Sequence, residues 1–318
     1  NGSTLTLNGI VAIGGRAAGT YPSSNVVAIE HSSSTGTVAF TNASTITGGS
    51  GLSAYCVFSS AAGPITISNS TISSGSAGSI VNNSTATITI SGTTINAGAA
   101  YGVYNNTTGT ITVTSSTVTG GSSATAHGIW NNATGTITLT STTVTGGSNA
   151  TAYGINNASS GTVTLTSTTV TGGSNATAYG VNNTSTGPVT ITGDVTASTA
   201  AGVLNASTGT VTITGTLTPT TAVHALQCTN TTGANITLSG SLIYASNGFA
   251  PTNCLKFLMN PTPALAKVRF AKNGSTTYSD FFTADNSLGQ AAITDVRFGT
   301  VYASGALTGV AYIPSASS

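Results

Sequence analysis

The sequence predicts an all-β fold: a single-stranded, three-sided parallel β-helix with 22–27 residues per coil, followed by a small β-rich C-terminal module. Three near-identical units of 26 residues, at 109–134, 135–160 and 161–186, lie between related units of variable length. Apolar and polar residues alternate within each unit, which is the period of a strand, and no apolar stripe of period about 3.6 persists. A single coil cannot bury its own apolar face, so stacked coils would supply the core.

Each unit is predicted to contain three short strands, as the unit at 109–134 illustrates. Its first strand carries Ile111 and Val113, its second carries Val118, and its third carries Ile129. β-Branched residues or Leu occupy the equivalent positions of neighbouring units, which favours strands that stack in register. Unit length varies at the Gly-Gly-Ser-x-Ala-Thr stretch after the second strand, so this stretch is predicted to be a surface loop.

Two further columns flank the third strand. The residue that ends this strand is Asn in six units, and stacked Asn side chains can hydrogen-bond to one another along the rod. Asn also tolerates the left-handed backbone that a coil corner needs. The predicted ladder comprises Asn82, Asn105, Asn131, Asn157, Asn183 and Asn205. In four of the units an aromatic residue lies four positions before this Asn. Stacking of the units would place these rings on one another, so we predict an aromatic ladder of Tyr101, His127, Tyr153 and Tyr179.

The repeats are assigned to residues 1–260 and the β-rich module to residues 261–318. The module holds seven of the eleven charged residues (six Lys/Arg and five Asp/Glu), whereas Asp194 is the only charge between His31 and Leu255. The chain opens at Asn1 within the repeat frame, so processing or truncation at the front is expected.

Charged residues make up 3% of the chain, against about 25% in ordinary globular domains. The scattered basic residues cannot form a phosphate-binding patch, so a nucleic-acid partner is excluded. No run of roughly 18 apolar residues exists, so no membrane span is expected. A surface with so little charge favours association, and the predicted partner is the chain itself, as a homo-oligomer or filament.

Catalysis and metal binding are not expected, and neither is a cofactor. Polysaccharide hydrolysis needs paired carboxylates and calcium needs an acidic cluster, but the repeats contain only Glu30 and Asp194. Glu30 and His31 are interpreted as a surface pair. His127 has no carboxylate within reach of the repeat frame, so no Ser–His–Asp set can be built. No Cys/His spacing resembles a zinc site.

Cys228 and Cys254 lie 26 residues apart, which is about one coil. At equivalent corners they would stack within bonding distance and form a disulfide in an oxidising compartment. Two buried free thiols are the alternative. Cys56 has no partner in either case.

Two outward columns are candidate contact surfaces. Thr alternates with apolar residues along the first strand, and stacking would give an exposed array of hydroxyl and methyl groups at Thr112, Thr138, Thr164 and Thr190. Ice binding, packing against an identical neighbour and the ordinary preference of Thr for sheet surfaces all fit this array. Tyr104 and Trp130 share an exposed column beside the Asn ladder, where they would contact a glycan, a second subunit or the core.

Over about residues 2–260 the repeats resemble the parallel β-helix proteins found among autotransporter passengers, filamentous adhesins, phage tailspikes and pectate-lyase-like enzymes. The segment DVRFGTVYASGALTGVAYIP at 295–314 is similar to a short module that recurs in phage structural proteins and in large bacterial surface proteins. The resemblance implies the β-helix fold and a C-terminal part for assembly or attachment, not for catalysis.

The predicted function is therefore structural. The chain is expected to be a non-enzymatic β-solenoid that forms or decorates a fibre by self-association, outside the cell, at a cell surface or on a virion. Two alternatives stay open. One is an adhesin or phage tail-fibre module that binds surface glycans or a receptor through the rod flank, and the other is an ice-binding protein that uses the Thr array.

Overall fold

The chain folds as a parallel β-solenoid, as the repeats predict, and no helix occurs in the part of the chain that the structure describes. In this computed structural model, that part comprises residues 4–9, 11–13, 26–32, 36–42, 44–48, 54–73, 77–149, 151–174, 178–193, 195–197, 202–214, 217–219, 226–228, 235–238, 255–257, 267–270 and 279–283. From Val26 to Pro219, successive strands join three sheets in a fixed order, which makes the solenoid three-sided.

Within the described residues the three sheets have the following strands. Sheet 1 consists of β1 Thr4–Asn8, β4 Thr37–Thr41, β7 Ile65–Ser68, β10 Ile88–Ser91, β13 Ile111–Thr114, β16 Ile137–Thr140, β19 Val163–Thr166, β22 Val189–Ile191, β25 Val211–Ile213, β28 Asn235–Leu238, β30 Lys267–Phe270 and β31 Ser279–Thr283. Sheet 2 consists of β2 Val11–Ile13, β5 Thr45–Thr47, β8 Thr71–Ser73, β11 Thr94–Asn96, β14 Thr117–Thr119, β17 Thr143–Thr145, β20 Thr169–Thr171, β23 Val195–Ala197 and β26 Leu217–Pro219. Sheet 3 consists of β3 Val26–His31, β6 Ala54–Ser59, β9 Ile80–Asn82, β12 Val103–Asn105, β15 Ile129–Asn131, β18 Ile155–Asn157, β21 Val181–Asn183, β24 Val203–Asn205, β27 Leu226–Cys228 and β29 Leu255–Phe257.

The columns of the sequence become columns in space, because the solenoid strands pair in parallel and in register. Ile137 of β16, for example, lies between Ile111 and Val163 of the neighbouring strands. The inward apolar columns of all three sheets meet in one core, in which side chains such as Leu139 and Ile155 are fully buried. The core therefore has the four apolar columns that the alternation predicts.

The backbone adopts the left-handed conformation at the corner between sheets 1 and 2. Ser115, Ser141 and Ser167 have φ between 48° and 50° there, and Asn69 (46°) and Gly92 (56°) occupy the same corner in earlier coils. The prediction that the ladder Asn residues supply a left-handed corner is wrong, because those residues end strands of sheet 3 in extended backbone. Short polar residues and Gly tolerate the left-handed conformation, which explains why they fill the observed corner.

Sheet 1 continues beyond the repeats. β30 pairs in parallel with β28, and β31 then pairs antiparallel with β30. Both strands lie in the predicted C-terminal module. The other residues of that module, including the segment at 295–314, lie outside the described residues.

Candidate functional site

The six ladder Asn side chains form one continuous hydrogen-bond chain inside the corner after sheet 3. From Asn82 to Asn205, each Nδ2 donates to Oδ1 of the next Asn at 2.9–3.1 Å. Each Nδ2 also donates to the carbonyl four residues downstream, at 2.9–3.2 Å. All six side chains are fully buried. Because solvent is excluded and the first five members use both amide hydrogens, this ladder stabilises the corner and does not present a ligand site.

At its N-terminal end the ladder continues into a buried polar cluster. Nε2 of His31 lies 2.9 Å from the carbonyl oxygen of Gly36, and Nδ1 lies 3.2 Å from Oγ of Ser59. Ser59 contacts Ser84 at 3.0 Å, and Ser84 donates to the first ladder amide. The interpretation of Glu30 and His31 as a surface pair is wrong for His31, which is buried while Glu30 is exposed. Adjacent strand residues face opposite sides of a sheet.

The outer face of sheet 3 and the loops that lead into its strands carry a continuous array of rings, here named the aromatic strip. Its members are Tyr101, Tyr104, His127, Trp130, Tyr153 and Tyr179. Along the predicted ladder the ring centroids are 4.9–6.1 Å apart from coil to coil. Tyr104 and Trp130, 4.9 Å apart, fill the adjacent outward column, and both pack against Tyr101. These two side chains are half-buried rather than exposed, because the neighbouring rings cover them.

His127 is the buried member of the strip, with 3% of its surface exposed. Its ring stacks on Tyr153 at 4.9 Å and 4°, and the Tyr153 backbone N–H donates to Nδ1 at 3.2 Å. A neutral imidazole that accepts at Nδ1 carries its proton on Nε2, and the neighbour of Nε2 at 3.2 Å is the amide nitrogen Nδ2 of Asn156, which is also a donor. Burial lowers the pKa of His127 to about 4. A protonated Nδ1 would also face the N–H of Tyr153, so the geometry favours the neutral ring as well.

Polar groups border the strip. Oη of Tyr104 donates to Oδ1 of Asn106 at 2.7 Å and accepts from Nδ2 of Asn132 at 3.1 Å, and both Asn side chains are exposed. Burial raises the pKa of Tyr104. Nε1 of Trp130 and Oδ1 of Asn182 are the buried side-chain polar atoms without a hydrogen-bond partner among the described residues. Each such atom costs about 1–3 kcal/mol.

The Thr array lies on the outer face of sheet 1. Thr112, Thr138, Thr164 and Thr190 pair in register on consecutive strands. The same column extends over further coils through Thr66, Thr89 and Thr212. All seven are half-exposed rather than fully exposed, because each is flanked by its neighbours above and below. They form an uncharged face of hydroxyl and methyl groups.

Several predicted residues are not in this arrangement. Asp194, Cys254 and the side chain of Cys228 lie outside the described residues. Cys56 is a buried free thiol, and burial raises its pKa to about 12. Among the residues described, no group of three or more His, Cys, Asp or Glu could hold a metal ion. Nor does the described part of the chain contain a helix of the length and apolarity that crossing a membrane requires.

The Asn residues around the aromatic strip were missing from the predicted site. Asn156 and Asn182 continue the column of Tyr104 and Trp130 but are buried, at 7% and 4% exposure. The signal in the sequence is the doubled Asn that ends β18 and β21. Strand alternation places the first Asn of that pair outward, and it does not reveal that rings from adjoining loops then cover it.

Comparison with protein families and with curated proteins finds no match. Among solved structures, the chain is similar to ORF18 of Geobacillus virus E2, with 12% sequence identity and a TM-score of 0.26. The similarity covers 83% of this chain and 53% of the other, so the chain spans about half the length of that protein. A similarity at this level adds nothing to the fold derived above, and the function has to be argued from the surfaces of the solenoid.

Proposed function

We propose that the protein is a non-enzymatic structural rod that forms or decorates an extracellular fibre by binding copies of itself through the outer face of sheet 1. The supporting observation is the in-register Thr column of that face. No residue that the structure describes between Gly36 and Gly193 is charged. Among described side chains Glu30 is the one carboxylate, and a single exposed carboxylate supports no paired acid–base mechanism.

An uncharged, regular face is suited to contact with its own copy. Burying charged groups in an interface carries a desolvation cost, and the part of this face from Thr66 to Thr212 has none to bury among its described residues. Its strands are about 4.8 Å apart, so two copies present hydroxyl and methyl groups at the same spacing. Contacts of this kind are little affected by ionic screening, and the assembly is expected to persist at about 1 M NaCl.

The test is sedimentation velocity and electron microscopy of the full chain and of a Thr138→Lys, Thr164→Lys variant. The wild type is expected to sediment as filaments or oligomers, and the variant as a monomer, because two ammonium groups at the centre of the face would have to be desolvated. The matched control is Thr143→Lys, Thr169→Lys, which adds the same charges to the outer face of sheet 2.

Equal loss of assembly in both variants would place the contact elsewhere, and a wild type that stays monomeric would refute the proposal.

The second candidate function is ice binding, which the regularity of the Thr column favours, and the same variants test it. Thermal hysteresis that disappears with Thr138→Lys, Thr164→Lys but not with the sheet 2 control would support it. Absence of hysteresis in the wild type would exclude it.

We infer that the rod functions outside the cell, at a cell surface or on a virion. There, a fibre of low charge would resist changes of salt and would offer few basic residues to trypsin-like proteases. Immunogold labelling of the native source material tests this location, and labelling confined to the cytoplasm would contradict it.

A further inference from the structure

The aromatic strip is a half-exposed apolar surface that spans four consecutive coils. Tyr101, Tyr104, Trp130, Tyr153 and Tyr179 are each half-buried, so part of every ring reaches solvent. Tyr and Trp combine an apolar ring with a polar group, which suits ligands that have both kinds of surface. Sugar rings are such ligands, because their C–H faces are apolar and their edges carry hydroxyl groups.

Exposed hydrogen-bonding groups lie at the edge of the strip. Asn132 donates to Oη of Tyr104 and to Oδ1 of Asn106, both at 3.1 Å, and Asn106 donates to Oδ1 of Asn83 at 3.0 Å. This exposed chain of amides and a phenol supplies donors and acceptors side by side. Sugar hydroxyls both donate and accept, so they can pair with either kind of group.

Trp130 lies at the centre of the strip with an unsatisfied donor. Its ring centroid is 4.8 Å from that of Tyr101, 4.9 Å from that of Tyr104 and 5.5 Å from that of His127. Its Nε1 is buried and has no acceptor among the residues that the structure describes. A ligand hydroxyl that accepts from Nε1 when the indole turns outward would remove the cost of this unpaired group.

The charge around the strip limits the ligand class. No residue described between Gly36 and Gly193 is charged. Burial lowers the pKa of His127 to about 4, so its ring is neutral at higher pH. Acidic ligands such as sialylated or phosphorylated glycans would find no counter-charge in this part of the surface. Recognition would therefore depend on stacking and neutral hydrogen bonds.

The exposed area argues against a protein partner. The five rings have a combined surface of about 1,000 Å², of which at most about a third is exposed, whereas each partner in a stable protein complex contributes about 800 Å². A short oligosaccharide needs far less surface. We propose that the aromatic strip binds a neutral oligosaccharide, with Trp130 and Tyr104 in contact with the sugar. This site is separate from the sheet 1 face used for self-association.

The experiment uses an array of neutral and acidic oligosaccharides, followed by titration of the strongest ligand. Trp130 is the only Trp of the chain, so a bound sugar is expected to change the intrinsic fluorescence. Calorimetry then compares the wild type with Trp130→Asn, which is expected to bind at least ten-fold more weakly. This variant should fold, because Asn156 and Asn182 occupy the same column in the next coils.

Thr143→Lys, Thr169→Lys serves as the control that leaves the strip intact, and its affinity for the sugar should be unchanged. Failure of every neutral oligosaccharide to bind, preference for acidic ones, or equal binding by Trp130→Asn would each overturn the assignment. Sedimentation of Trp130→Asn separates the two proposals. Loss of assembly in this variant, without loss of sugar binding, would identify the strip as a subunit contact instead.

Discussion

Asn131 illustrates how much of a corner depends on one side chain. It donates to Oδ1 of Asn157 at 3.0 Å and to the Gly135 carbonyl at 2.9 Å, and it accepts from Asn105 at 3.0 Å, all in the dry interior. Asn131→Ala leaves two buried acceptors without these donors, so the free energy of unfolding is expected to fall by about 3 kcal/mol. Urea denaturation followed by circular dichroism measures the change.

The adjacent residue provides a control with the same chemistry. Asn132 also takes part in an amide chain, but its side chain is exposed. Water can replace its partners, so Asn132→Ala should change the free energy of unfolding by about 0.5 kcal/mol or less. Similar losses for the two variants would show that the buried ladder contributes no more than an exposed one.

His127 gives the solenoid a sensitivity to acid. Its pKa is about 4 in the folded chain and about 6.5 when unfolded. Between these values the unfolded chain binds the proton more readily, so stability is full above about pH 6.5 and falls as the pH drops to about 4. The loss should reach roughly 3 kcal/mol and then stop, because below that pH both states are protonated. Thermal unfolding across this pH range measures it.

His127→Tyr is the matched variant, since Tyr occupies the equivalent positions 101, 153 and 179. It should flatten the pH profile of the melting temperature while keeping the ring stack. A wild-type profile that is already flat between about pH 4 and 6.5 would contradict the neutral, buried state of His127.

At the scale of strands and corners, some features follow from the sequence and others depend on contacts between coils. The alternation in strands such as β13 and β16 determines which residues enter the core, because a strand has only two faces. The left-handed corner at Ser141 could not be located in this way, since the residues that tolerate it occur at many positions of this chain. The burial of Asn156 depends on rings from adjoining loops, and no local pattern encodes that cover.

The Gly-Gly-Ser loops also depend on contacts between coils that the sequence pattern does not reveal. These loops line a groove of about 560 Å³ along the corner after sheet 2. A Cβ on Gly147 would overlap the carbonyl oxygen of Gly121 in the coil below, so successive coils pack here through bare backbone. Variable length correctly indicates a surface loop. The need for Gly comes from stacking and becomes visible only in three dimensions.

For the whole molecule, in-register stacking predicts that one coil can be removed without unfolding the rest. Deletion of residues 135–160 joins two equivalent positions of the frame, so Asn131 would stack on Asn183 and Ile111 on Val163 in the way that adjacent coils now do. In a solenoid each repeat contacts only its neighbours, so stability should fall by one repeat and one interface. We expect cooperative unfolding with a melting temperature a few degrees lower, and a rod shorter by about 4.8 Å.

The control is deletion of residues 148–160, which removes only β18 and its loop. This deletion breaks the order of the three sheets and should abolish cooperative unfolding. Calorimetry and small-angle scattering compare the two, and equal damage by both deletions would mean that the coils are not interchangeable units.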